Sequence, residues 1–352
     1  MAEQVENFLP PMIDLHEDIS LYYVSGVAGT RFDSPDLSID LKGRQADLPK
    51  YKNANVKLVL GSIAPLAFTT DDYRSIGLSG SYSGVRLGIR SRYAESAALQ
   101  HFLIYYGLSR TYPDKISLVE TLSDLNSSWD HDKLSILISM EGAEALQDAE
   151  DIYIYEKLGL RSLQLNWNFD NRYSASCFSR KDYGVTGDGE ELIRRLNGLG
   201  ILLDLAHSSE NTVLEATEMS KLPVIVSHTN SKSKENHLRN VSDKAIEQVH
   251  KHKGVIGFSC IAPTLSSAGK IEDMVEHIMY VYESFGPDVM GIGSDYFGLL
   301  GMDTPKGLED ITRLSNLWKI LYEKGMKKED IEKISYRNSL RVIKENLGKR
   351  PH

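Results

Sequence analysis

The chain has 352 residues, of which 41% are hydrophobic and 25% charged, and a formal net charge of −9. That balance is ordinary for a globular enzyme, and the acidic surface it implies excludes nucleic acid and anionic membrane as partners. Two cysteines, Cys177 and Cys260, are too few for a disulfide framework and lack zinc-finger spacing.

The N-terminal stretch MAEQVENFLPPMIDLHED lacks a basic region followed by an apolar run of signal-peptide length. No run of 18 apolar residues occurs, so no spanning helix is expected and the cytoplasm is the expected compartment.

In chain order, eight short apolar and β-branched runs stand out: Met12–His16, Val56–Ala64, Leu134–Glu141, Ser162–Trp167, Ile201–His207, Val224–His228, Val255–Cys260 and Met290–Asp295. Continuous apolar runs of this length suit strands buried on both faces. Helical spacing or helix-end signals mark Tyr93–Ser109, Gly189–Leu199, Ser209–Ser220, Ser242–His252 and Ile271–Phe285, and at least two more helices are expected in Ile311–Leu347. Eight strands alternating with helices predict an α/β fold, a (β/α)8 TIM barrel, as one domain over 1–352. Loop insertions are expected on its C-terminal face near 17–50, 65–92 and 168–188, and the helices of 311–347 close the chain.

The ends of these strands carry the chemistry. His16 ends the first, with Asp18 two residues on; Glu141, Trp167, His207, His228 and Asp295 end five others. In a closed barrel such ends ring one pocket, roughly 10–15 Å wide. Imidazole and carboxylate are the usual ligands of zinc and related ions. Alternation brings His16 and Asp18 to one side of an extended segment, where both reach one ion. His207 and His228, on neighbouring strands, share a second, and Glu141 has two oxygens with which to bridge. Two such ions hold a bridging hydroxide and polarise a carbonyl. Coincidence carries the argument: His101, His131, His237, His250, His252, His277 and His352 fall away from strand ends, and the other three histidines fall on them. Glu144 reads as a cap or loop residue.

The segments IDLHED, QADLPK, ISMEGAEAL, GILLDLAHSS, PVIVSHTN, RNVSD and GIGSDYFG, in this order and spacing, resemble the membrane (renal) dipeptidase family, the M19 metallopeptidases of amidohydrolase type. The resemblance implies a binuclear zinc dipeptidase, with Co2+ or Mn2+ as replacements. His16 and Asp18 would hold one ion, His207 and His228 the other, and Glu141 both. Asp295 would handle protons and meet the substrate, and Arg239 would pair with its terminal carboxylate through a two-bonded guanidinium. Asp204 is a candidate to orient His207. Small dipeptides are the implied substrates, and a homodimer through 65–92 is the implied assembly. One departure stands out: Trp167 aligns where the family carries an oxyanion-stabilising histidine, and an indole donates one hydrogen bond without positive charge. That substitution leaves two alternatives: a lactonase, deacylase or cyclic amidase on the same centre, or a metal-binding barrel without activity.

Overall fold

Each of the eight expected runs forms a strand. In the computed structural model, which describes residues 8–24, 34–65 and 91–350, nine parallel strands occur. They are β1 (Met12–Glu17), β2 (Val56–Ile63), β3 (Ile116–Leu118), β4 (Leu134–Met140), β5 (Leu160–Gln164), β6 (Leu202–Asp204), β7 (Ile225–Thr229), β8 (Val255–Phe258) and β9 (Met290–Ile292). Eight of them close a ring in the order β1-β2-β4-β5-β6-β7-β8-β9 and back to β1. The ninth, β3, escapes sequence reading because it is three residues long and pairs only with Leu134–Ile136 at the start of β4. This is the closed (β/α)8 barrel that the alternation predicts.

The helices follow from their ends as much as from their periodicity. Gly187–Leu199 starts two residues earlier than the apolar pattern because Thr186 accepts the Gly189 N–H, and it stops at Gly200, whose φ is 66°. Ser209 and Ser242 cap the next two, Glu210–Met219 and Asp243–Lys251, in the same way. Four short helices lie outside the sequence expectation: Leu48–Asn53, Leu122–Asp130, Ile152–Lys157 and Ala262–Leu265. The first two are set by side-chain caps at Asp47 and Thr121, and six to nine residues are too few to show a periodic face. Within 311–347 the chain forms Leu314–Glu323, Lys328–Glu332 and Asn338–Leu347, the last two joined by a π-helical stretch over Lys333–Arg337.

Two apolar layers hold the barrel. A large one lies between strands and helices. A smaller one gathers Ile13, Leu15, Leu58, Leu60, Leu137, Leu202, Ile225 and Val255 with Val342, Ile343 and Leu347 of the last helix. Leu202, Ile225 and Val255 are the first residues of their strands, so Asn338–Leu347 closes the N-terminal mouth of the barrel. The opposite mouth carries the insertions. The 168–188 segment is tied to the loop after β6 by the Ser176–Ser208 bridge and by Asp182, which accepts from Ser209 and Asn211. Most of the 65–92 insertion lies outside the described residues. Among the described residues no helix is long and apolar enough to cross a membrane.

Candidate metal centre

His16, Asp18, Glu141, His207, His228 and Asp295 arrive at the C-terminal mouth from β1, β4, β6, β7 and β9, and all are buried. Regular strands would not bring them there. Ladder register shifts by one residue between Asp14 and Glu17 of β1 and between Val226 and Thr229 of β7, bulges that re-aim side chains. At Gly257 and Gly293, an added Cβ would sit 1.9 and 1.8 Å from the Ser227 carbonyl oxygen. The bulge at Ser227–His228 therefore depends on bare backbone on the two strands beyond it. His207 and Asp295 both take left-handed backbone, at φ of 63° and 64°. That conformation is strained for side chains other than glycine and recurs at functional sites.

Glu141 is the hub of the cluster. Its Oε1 lies 3.0 Å from His207 Nε2, 3.5 Å from His228 Nε2 and 3.7 Å from His16 Nε2. His16 Nε2 is also 3.3 Å from Asp18 Oδ2 and 3.7 Å from Asp295 Oδ1. Two overlapping sets of potential ligand atoms result, each within a 4.8 Å span: His16, Glu141 and His228, and His16, Asp18 and Asp295. Asp295 thus stands within ligand range as well as beside the reacting position expected for it.

These residues fit a divalent cation on three observations. Neither ring nitrogen of His16 has a hydrogen-bond partner, although the residue is fully buried. His207 Nδ1 meets the Asn168 amide oxygen at 2.7 Å, so the proton sits on Nδ1 and a lone pair on Nε2. That lone pair faces the Glu141 oxygen and His228 Nε2, 2.9 Å away. Acceptors converging at this range repel one another unless a cation lies among them. Ligand atoms around one tetrahedral zinc, each about 2.0–2.1 Å from it, lie about 3.3 Å apart, inside the spread found here.

The electrostatics agree. Burial, with the charges of Arg239 and His16, pushes His207 and His228 well below the usual imidazole range, which keeps them neutral as ligands must be. Burial and the neighbouring Asp18 push Glu141 well above the carboxylate range, and burial lifts Asp295 to about 7. Burial opposes a charge on His16, but Asp18, Glu141 and Asp295 outweigh it and raise His16 to about 10. Anionic charge is in excess, and a cation relieves it.

Arg239 lies in the loop after β7, 8% exposed, and its Nη2 donates to the His228 carbonyl at 3.2 Å. It borders a cavity of about 150 Å³ that also touches Cys177, His207 and Leu238. Trp167, three residues past β5, is 3% exposed, with its ring centroid 5.5 Å from Phe169 and 6.2 Å from His207. The candidate partner Asp204 does not meet His207; Asn168 does, while Asp204 Oδ1 accepts the backbone N–H groups of Ala206 and Ser227. Asn168 carried no signal for this role in sequence beyond its place just after a strand end.

A family model described as membrane dipeptidase (peptidase family M19) matches residues 4–350. The dipeptidase tcpJ of Claviceps purpurea is 29% identical over 241 residues, 66% of this chain, and the chain spans 56% of that relative's length. The dipeptidase verJ of Clonostachys rogersoniana is 27% identical over 341 residues, 95% of this chain and 83% of its own. A metallopeptidase of Rhodobacter sphaeroides, solved with a phosphinate mimic of the dipeptide L-Ala-D-Ala, superposes with a TM-score of 0.83 at 23% identity, over 96% of this chain and 100% of that one. With the barrel and its convergent imidazoles and carboxylates, the near-complete family match shows that this chain belongs to the membrane dipeptidase family M19, a family of metallo-dipeptidases.

Proposed function

We propose that the chain is a binuclear zinc dipeptidase that hydrolyses the amide bond of small dipeptides. His16 and Asp18 would hold one ion, His207 and His228 the second, and Glu141 would contribute to both. When bound, such ions supply Lewis acidity and lower the pKa of the attacking water. The chain's own residues do the rest. Asp295, whose proton affinity is raised by burial, holds the proton that passes from water to the leaving amine. Arg239, fixed beside His228 by its bond to that residue's carbonyl, receives the terminal carboxylate. A cavity of about 150 Å³ beside Arg239 and His207 favours small substrates.

The observation that carries this reading is the placement of Glu141 Oε1 within 3.0–3.7 Å of three imidazole nitrogens, as a shared ligand requires. The Rhodobacter sphaeroides neighbour, with its L-Ala-D-Ala mimic, makes L,D as well as L,L dipeptides the substrates to try. Zinc-loaded protein is expected to contain two ions per chain and to turn over at least one such dipeptide. Absence of turnover across the panel, with two zinc ions bound, would sink the dipeptidase assignment.

A second reading, a lactonase, deacylase or cyclic amidase on the same centre, draws on one observation. A buried indole, Trp167, stands where the family resemblance places a histidine. Arg239→Ala separates the two. A dipeptidase loses ten- to a hundredfold in kcat/KM, about the 1.5–3 kcal/mol of a charge-assisted contact, whereas a lactonase does not need the guanidinium.

A further inference from the structure

Two buried aspartates lie behind the ring of candidate ligands and take no part in the chemistry above. They repeat one arrangement. Asp14 Oδ1 accepts the N–H of His16, two residues on along its own strand, at 3.1 Å. It also accepts the N–H of Ser294, just beyond the neighbouring β9 and one residue before Asp295, at 2.8 Å. Asp204 Oδ1 accepts the N–H of Ala206, two residues on and one before His207, at 3.0 Å. It also accepts the N–H of Ser227, on neighbouring β7 and one residue before His228, at 2.9 Å. Both aspartates are 0% exposed.

The two places where this happens are the thinnest joints of the barrel. β1 meets β9 at one residue pair, Asp14↔Ile292, and meets the chain beyond it again only at Glu17↔Tyr296; β6 meets β7 at one pair, Asp204↔Ile225. Every other junction of the closed ring is paired at three or more residues. Strands that part early gain freedom to aim side chains into the mouth, but they leave buried N–H groups without ladder partners. Such groups cost free energy unless another acceptor reaches them. At both parted joints a single aspartate oxygen supplies that acceptor, and it does so across the gap.

We infer that Asp14 and Asp204 are positioning residues that staple the two parted joints and thereby fix the spacing of the ligand pairs they flank. Asp14 serves His16 with Asp295, and Asp204 serves His207 with His228. The inference rests on the metal-centre reading. What the staple requires is an acceptor oxygen at this point, not a negative charge.

Calorimetric zinc titration of metal-stripped full-length protein, with folding followed by circular dichroism, tests this. Wild type is expected to take two ions, and Asp204→Asn, which keeps an acceptor oxygen, to take two with affinities within about threefold. Asp204→Leu is expected to weaken one ion ten- to a hundredfold, the range for loss of an outer partner, and to leave the other unchanged. A folded Asp204→Leu that binds both ions as wild type does would overturn the inference, even if it melts earlier, because the role is then structural only. So would an Asp204→Asn as impaired as Asp204→Leu, because charge would then be the cause. If Asp204→Leu does not fold, Asp204→Ser, too short to span the joint, takes its place under the same criteria. If neither folds, Asp204→Asn decides: retained affinity supports the staple and lost affinity overturns it. Wild type that binds no zinc at all would instead overturn the metal reading beneath it.

Discussion

Glu144 stands three residues from the hub carboxylate and outside the ligand ring, with Asn171 Nδ2 donating to its Oε1 at 3.2 Å. Burial pushes its carboxyl up to about 7, from an ordinary value near 4.5. A folded-state value above the unfolded one means that folding favours the proton. The stability linked to that proton is fully present below about pH 4.5 and is lost as pH rises through about 7. Glu144→Gln is therefore expected to be more stable than wild type at pH 8, by up to about 3 kcal/mol, with the gain shrinking towards pH 5. Urea midpoints at the two pH values check it; a wild type that is the more stable at pH 8 refutes it. In sequence Glu144 reads as a cap or loop residue, since nothing local announces its burial. The six ring residues were legible because five end apolar runs and Asp18 follows two residues after one, which fixes the mouth they reach. The Asn168–His207 bond was not, because it joins two strand ends through loop backbone whose course no periodicity encodes.

At the scale of elements, the bulge at Ser227–His228 and the two bare glycines facing it form one device. An added methyl at Gly293 would meet the Ser227 carbonyl oxygen at 1.8 Å, and that oxygen is backbone, so relief must move the strand that carries His228. Gly293→Ala is expected to cost at least the 1–3 kcal/mol of an overpacked core, and to weaken zinc binding along with stability. Gly107→Ala is the control: it lies within the helix Ser91–Thr111, nothing lies within 4 Å of its added methyl, and a gain of about 0.5–1 kcal/mol is expected. Thermal melts with metal titrations check both, and a Gly293→Ala protein indistinguishable from wild type would remove the device. Strands were readable from sequence because both of their faces are buried and their runs are unbroken. Bulges were not: alternation has a fixed period of two, and a one-residue slip leaves composition unchanged. The short helices Leu48–Asn53 and Leu122–Asp130 were missed for the reason that makes them stable, caps rather than periodic faces.

For the whole molecule, the proposed ions join four strands, β1, β4, β6 and β7, at one point, so their removal loosens the barrel as a unit. Each ion bound only by the folded state adds about 2.7 kcal/mol when free zinc stands a hundredfold above its dissociation constant. Chelation is expected to lower Tm by several degrees, and added zinc to restore it in a concentration-dependent way; a Tm indifferent to chelator would count against ions bound in the folded state. The fold class was legible at this scale because eight alternations of strand and helix have few other solutions. The closure of the lower mouth was not, because the helix that performs it, Asn338–Leu347, shows its apolar face only when set against strand starts more than eighty residues away in sequence.

That last helix sets an order of events during synthesis. His16 is synthesised well before the strand that closes the ring beside it, β9, and before the stopper of the ring, Asn338–Leu347. Until then the nascent barrel is an open, curling sheet with apolar starts exposed and only part of its ligand set assembled. Loading of the proposed centre therefore waits until β9 and that helix have both been made.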